Sequence, residues 1–307
     1  IIFLVNCYDK DVIDAKIIDY CLFITFFPQL VAGPIVKYKE MIPQFNNDSL
    51  SKFKSTFFYL GFTILLIGFI KKTIFADSLG IFVDQNYSDI ENINFFTSWI
   101  LSLSFTFQLY FDFSGYVDMA TGSALMLNIK LSQNFNSPFK SCSIIDFWHR
   151  WHMTLSNFLT NFVFTPWIMS LRSINFLKTM LILLLVFILA GLWHGPSWTY
   201  VVFGLLHGFG LIINHIFRKF IFFKIHSLLS WFITFNFINI TFLMFRSENI
   251  FDFIMIFKQM IDFKYLFNEN FNISGISFNH LFILILSMII CFYFKNSNYL
   301  IGKFNRE

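Results

Sequence analysis

The sequence predicts an all-α protein that passes several times through a membrane. Three observations carry this. Of 307 residues, 56% are hydrophobic and only 13% charged, whereas a soluble domain carries about 25% charged residues. The mean hydropathy is +0.64. The apolar residues also gather into long runs separated by short charged segments, the pattern of membrane-spanning helices. The formal net charge of +4 is small, and the basic residues sit mostly between apolar runs. That placement fits orientation in a membrane and not nucleic-acid binding.

Cys7, Cys21, Cys142 and Cys291 are scattered, without the spacing of a disulfide framework or a zinc site. The chain opens Ile-Ile-Phe-Leu, with no initiator Met and no signal peptide. The expectation is a piece of a longer protein whose upstream membrane segments precede it.

The elements follow in order. Ile17 to Val31 is apolar but short and interrupted by Pro28, which suits a re-entrant or interfacial segment better than a span of about 20 residues. Lys37 to Lys54 is a polar loop. Thr56 to Ile74 reads as a span ending near Lys71-Lys72, and Asp77 to Asn94 as an acidic loop. Phe95 to Phe111 reads as the next span. Asp112 to Asn175 mixes Trp, His, Arg, Asp and Asn with apolar residues, as expected of short helices buried in protein or lying at an interface. Phe176 to Trp193, Ser197 to Phe217, Ser227 to Phe245 and the shorter Leu281 to Phe294 read as spans. Asn249 to Phe267 is amphipathic. The positive-inside rule places Lys37–Lys54, Asp112–Asn175, Arg218–Lys224 and the C-terminal tail in the cytoplasm, and Asp77–Asn94 outside. Lys71-Lys72 then falls at an outer helix end, where snorkelling is needed.

Titratable groups inside such a chain are functional candidates. His194 lies in Ala190–Gly208, reading AGLWHGPSWTYVVFGLLHG, at a Gly-Pro break between two spans. A buried neutral imidazole there suits a general base acting on a hydroxyl. A core histidine bonded across helices is the alternative. His207, among Gly204, Gly208 and Gly210, fits close helix packing. In Asp146–Ser156, DFWHRWHMTLS, Asp146, His149 and His152 fall near one side of a helix. A metal site, an interfacial helix anchored by Trp148 and Trp151, and a His and Arg set lining a substrate path all remain open. Asp112 and Asp118 beside apolar spans need partners, which Lys or Arg of a neighbouring helix can supply. The chain has no G-x-S-x-G, P-loop or dinucleotide fingerprint.

The segments FFPQLVAGPIVKYKEMIPQF (Phe26 to Phe45), YFDFSGYVDMATGSALML (Tyr110 to Leu127), QNFNSPF (Gln133 to Phe139), DFWHRWHMTLSNFL (Asp146 to Leu159) and GLWHGPSWTYVVFGLLHG (Gly191 to Gly208) together resemble the membrane-bound O-acyltransferase family. The branch is that of alginate O-acetylation and teichoic acid D-alanylation. FLMFRSENIFDFIMIFKQM (Phe242 to Met260) resembles its downstream pattern.

The resemblance implies a ring-like bundle of transmembrane and re-entrant helices around a central tunnel. It implies one partial domain over 1–307, lacking the family's N-terminal spans and its last C-terminal span. It implies catalytic His194 and His152, with Arg150, Trp151, Trp193 and Trp148 binding substrate. No tightly bound cofactor or metal is implied. The donor would be an acyl thioester, acetyl-CoA or an acylated carrier protein. The acceptor would be an extracytoplasmic glycan, reached directly or through a periplasmic or membrane partner protein. The setting would be the lipid bilayer of a bacterial inner membrane, with no nucleic acid. In this reading His194 deprotonates the acceptor hydroxyl, and His152, with Arg150 nearby, positions a substrate and helps stabilise the oxyanion. A transporter or flippase of a lipid-linked or small anionic substrate, and a scaffold for an acyl-transfer partner, are the competing readings.

Overall fold

The computed structural model describes residues 2–10, 12, 15–30, 33–220, 225–263 and 276–304. Val31, Lys224 and Phe267, which bound segments of the sequence reading, lie outside the described residues. Among the described residues the regular structure is helical. In chain order the helices are α1 (Ile2–Tyr8), α2 (Ile17–Thr25), α3 (Tyr38–Phe45), α4 (Ser55–Tyr87), α5 (Phe95–Met126), α6 (Ile144–Trp148), α7 (Met153–Leu159, continued by a π-helical turn, Thr160–Phe164, and by Thr165–Met169), α8 (Phe176–His194), α9 (Trp198–Phe220), α10 (Ser227–Arg246), α11 (Ile250–Ile261), α12 (Phe278–Tyr293) and α13 (Ser297–Phe304). Five helices among the described residues are long and apolar enough to cross a membrane: α4, α8, α9, α10 and Phe278–Gly302. The nine-residue α2 is too short to span, as expected.

The antiparallel pair α4 and α5 corrects the sequence reading twice. The chain does not leave the helix at Ile74. It passes through a π-helical turn, Lys71–Ala76, and continues helical to Tyr87, so most of the supposed acidic loop is helix. Nor does α5 stop at Phe111; it runs unbroken to Met126. The reason is ionic. Lys71 Nζ reaches Asp118 Oδ2 at 2.6 Å, and Lys72 Nζ reaches Asp112 Oδ1 at 2.6 Å and Asp77 Oδ1 at 2.8 Å. Charges that looked like helix terminators neutralise one another between two continuous helices, and Lys71-Lys72 needs no snorkelling. Although expected to hold a span, α5 is not among the five. It is central, and its Ser98, Ser102, Ser104, Thr106, Ser114 and Thr121 are buried in protein.

The two helices approach until backbone meets backbone. A Cβ added at Gly61 would lie 2.6 Å from the Gly122 carbonyl oxygen, and one at Gly122 would lie 2.5 Å from that of Gly61. Gly68 and Gly115 repeat the arrangement at 2.5 and 2.8 Å. Small residues are what allow such contact between membrane helices. Gly122→Leu is expected to destabilise by at least the ~1–3 kcal/mol of overpacking. The same change at Gly302, where nothing lies within 4 Å, is the control, and thermal unfolding in detergent reads both.

The hairpin of α8 and α9 packs in the same manner, with Gly204 against the Phe187 backbone and Gly208 against Leu184. Between the two helical pairs lies a core rich in aromatics. Phe147 stacks on Trp151 at 5.6 Å, and Trp151 meets Phe135, Phe139 and Phe242. The segment 127–175 is built of short helices, as expected, and is held in this core through α6.

Candidate active site

His194 is the last residue of α8. Gly195 and Pro196 follow, and α9 starts at Trp198. This break turns the imidazole off the helix end into an aromatic cage, with ring centres 5.1 Å from Trp193, 5.1 Å from Phe245 and 6.3 Å from Tyr200.

His152 reaches the same place from a different element. It lies between α6 and α7 with φ 44° and ψ 52°, in the left-handed region. That conformation costs an L-residue about 1–2 kcal/mol and persists only where the surroundings enforce it. Here Met153 N–H donates to the Asn134 carbonyl at 2.9 Å and Asn136 N–H to the Arg150 carbonyl at 2.9 Å, clamping residues 150–153 to 134–136. The Asn134 side chain fixes the ring. Its Oδ1 takes the Thr154 N–H at 3.3 Å and the Thr154 hydroxyl at 2.9 Å, which identifies that atom as the acceptor. His152 Nδ1, 3.0 Å away, must therefore carry the proton, and Nε2 is left with its lone pair. Burial, with a smaller contribution from nearby His194, lowers the His152 pKa below the ordinary histidine range, so the ring is neutral at physiological pH.

Both imidazoles line one cavity of about 450 Å³, together with Gly33, Ile35, Lys72, Leu109, Asp112, Phe113, Tyr116, Met119, Trp193 and Phe245. This is the size and largely apolar character of a small-molecule site. Trp193, 63% exposed, also borders a second, apolar cavity of about 610 Å³ lined by Phe3, Phe23, Phe158 and Phe162. Ile35 and Trp193 are shared by the two.

Of the residues singled out from sequence, the cavity gathers His194, His152, Trp193 and Asp112. It does not gather Trp148, Trp151 or Arg150. Trp148 is buried and donates its Nε1–H to His207 Nδ1 at 3.2 Å, and Trp151 is buried in the aromatic core. Neither is an interfacial anchor or a cavity wall, because remote phenylalanines cover both. Arg150 is held by Asp146, Nε to Oδ1 at 2.8 Å, and does not line the cavity. The face expected to carry Asp146, His149 and His152 is not formed, since the helix ends at Trp148. Asp146 pairs with Arg150, His149 opens on a separate cavity with Arg218 and Asn214, and His152 turns toward His194. His207 is fully buried, on the glycine-rich packing face read from sequence. His280, which carried no motif, bonds Ser104 Oγ at 2.9 Å and stacks on Phe82.

Two residues of this site escaped the sequence reading. Asn134 orients His152 from 18 residues upstream; its only signal is its place in QNFNSPF. Lys72 lines the cavity, and its signal, a lysine inside an apolar run, had been assigned to a helix end. Asn134→Ala is expected to release the His152 tautomer, and Asn134→Asp, which still accepts from Nδ1–H, to keep the proton on Nδ1. The nitrogen chemical shifts of the imidazole separate the two variants.

The profile of MBOAT, the membrane-bound O-acyltransferase family, matches residues 5–251. The chain belongs to the membrane-bound O-acyltransferase family. Its relatives include the peptidoglycan O-acetyltransferase of Helicobacter pylori, 42% identical over 271 residues, which are 86% of this chain and 48% of that protein. A Pseudomonas aeruginosa protein named "Probable alginate O-acetylase AlgI" is 37% identical over 76% of this chain and 44% of its own length. The teichoic acid D-alanyltransferase of Bacillus subtilis is 30% identical over 64% of this chain and 51% of its own. The chain thus spans about half the length of the curated relatives it matches. His152 and His194 both lie inside the family match, and the five candidate spans agree with a multi-pass membrane protein.

Proposed function

We propose that this chain is the catalytic part of an enzyme that moves an acyl group, acetyl in the first instance, from a thioester donor to the hydroxyl of an extracytoplasmic glycan or of a partner protein that relays it. The observation that carries this is the convergence of two imidazoles, from a helix end and a strained loop, on one cavity. The acetyl-transferring relatives from Helicobacter pylori and Pseudomonas aeruginosa support acetyl as the acyl group and a cell-envelope glycan as the final acceptor.

In this mechanism a ring nitrogen of His194 takes the proton from the acceptor hydroxyl as its oxygen attacks the thioester carbon. The C–O bond forms, the C–S bond breaks, and the proton passes from the imidazolium to the leaving thiolate. His152 acts through its bare Nε2, which accepts a hydrogen bond from a second hydroxyl of the acceptor and so orients the first toward His194. In this tautomer it has no proton on Nε2 to give an oxyanion, so the oxyanion role read from sequence does not suit it. Arg150, engaged with Asp146, does not suit that role either. Holding both reactants in one largely apolar cavity supplies rate through orientation. The donor would arrive from the cytoplasmic face and the acceptor from the other, at a bacterial inner membrane.

The experiment is acetyl transfer by the full-length protein in proteoliposomes, supplied with radiolabelled acetyl-CoA and, separately, an acetylated carrier protein. Label covalently attached to a hydroxyl acceptor supports the reading. Label that crosses the membrane with its thioester intact replaces it with the transporter reading.

A further inference from the structure

Beside the imidazole pair lies space that acetyl transfer does not use. The apolar cavity of about 610 Å³ meets the catalytic cavity at two residues, Ile35 and Trp193. Trp193 precedes His194 on α8, its ring centre 5.1 Å from the imidazole. Ile35 is tied to the loop of His152, its amide N–H donating to the Thr154 hydroxyl at 3.2 Å. The two side chains form a partition, each rooted beside one histidine. Behind the partition the helix leaves room. Ala190 lies one turn before Trp193 on the same helical face and gives the apolar cavity only a methyl group. Phe23, Phe158 and Phe162 line the same space, and its lining carries no charged side chain.

We infer that Trp193 sets the length of the transferred acyl group, holding it to acetyl by closing a hydrocarbon site that would otherwise take a longer chain. This rests on the acyl-transfer reading and names the acyl class its site accepts. A hydroxyl activated by His194 lies within hydrogen-bond distance of the imidazole, and the carbonyl it attacks comes next to it. The acyl group is therefore placed beside the indole. A methyl group fits there. A longer chain must displace the indole or turn toward Lys72 and Asp112 on the same lining, where its methylenes gain nothing from burial. With the indole removed, the two cavities join, and the chain runs over Ala190 into apolar space. The bonds exchanged stay the same: the C–O bond forms, the C–S bond breaks and the proton leaves with the thiol.

The test is acyl transfer by the full-length protein in proteoliposomes. The donors are acetyl and hexanoyl thioesters of the carrier, coenzyme A or carrier protein, that supports wild-type acetyl transfer. The wild type is expected to discriminate against hexanoyl by at least ~100-fold in kcat/KM. Trp193→Ala should raise the hexanoyl-to-acetyl ratio at least ~tenfold, about the worth of two buried methylenes. Ala190→Phe added to that variant refills the opened space and should return the ratio toward wild type. Each readout is a ratio of two donors on one protein, so misfolding does not produce it. Equal use of the two donors by the wild type, an unchanged ratio or no transfer in Trp193→Ala, or a ratio that Ala190→Phe leaves raised overturns the inference. A wild type that transfers acetyl and gives one of these results fails here alone. A wild type that transfers no acyl group to a hydroxyl fails the acyl-transfer reading, and this inference falls with it.

Discussion

His194→Ala is expected to abolish acyl transfer while leaving the protein inserted and folded. A general base contributes roughly 10²–10⁴-fold, and the loss should fall in or beyond that range at saturating donor and acceptor. The imidazole ends α8 and makes ring contacts with Trp193, Tyr200, Phe203 and Phe245 at the rim of a cavity, so its removal costs little packing. The unfolding midpoint in detergent should stay close to wild type while the rate of labelled acetyl transfer collapses. A variant that transfers acetyl at the wild-type rate would return His194 to a packing role and leave His152, with its free Nε2, as the base. His152→Ala should also lose rate heavily. Unlike His194→Ala it should shift stability as well, because it dissolves the bond to Asn134.

Asp118→Ala is expected to produce the largest loss of stability. Lys71 would keep its ammonium in a nearly closed space with no carboxylate, and the Ser297 hydroxyl would lose its acceptor. Breaking a buried pair by removing one partner costs about 3–5 kcal/mol. The double variant Lys71→Met/Asp118→Leu should recover most of that, since an apolar pair of similar volume needs no desolvation of charge. The neighbouring pair behaves oppositely. Lys72 and Asp112 are about half exposed, where an ion pair contributes about 0–1 kcal/mol, so Asp112→Asn should barely move the unfolding midpoint. Parallel thermal melts of the three variants measure this contrast; equal losses at the two pairs would contradict the division into a sealed and an open one.

Much of this was legible in the chain. The break at Gly195-Pro196 marks His194 because the backbone must leave the helix there, and that signal is local. The apolar runs give α8, α9, α10 and α12 because each faces its surroundings without help from a distant residue. What stayed hidden depends on partners far along the sequence. Lys72 looks like a helix end until Asp112, forty residues on, is placed beside it. Trp148 and Trp151 look like a membrane-interface pair until Phe187, Phe235 and Phe242 close around that region. The role of His152 turns on which nitrogen holds the proton, and that is decided by Asn134 and Thr154 together, not by the motif that contains the histidine.

The lengths of α4 and α5 carry a last consequence. At 1.5 Å per residue, helices of 33 and 32 residues are each about 50 Å long, against a hydrocarbon core of about 30 Å. Tilt absorbs only part of the difference. Glycine at both close approaches fixes the two rods in register. Lys72 and Asp112 sit near the midpoints of these rods. The cavity they border therefore opens half-way along the α4–α5 pair, as far from one end of it as from the other.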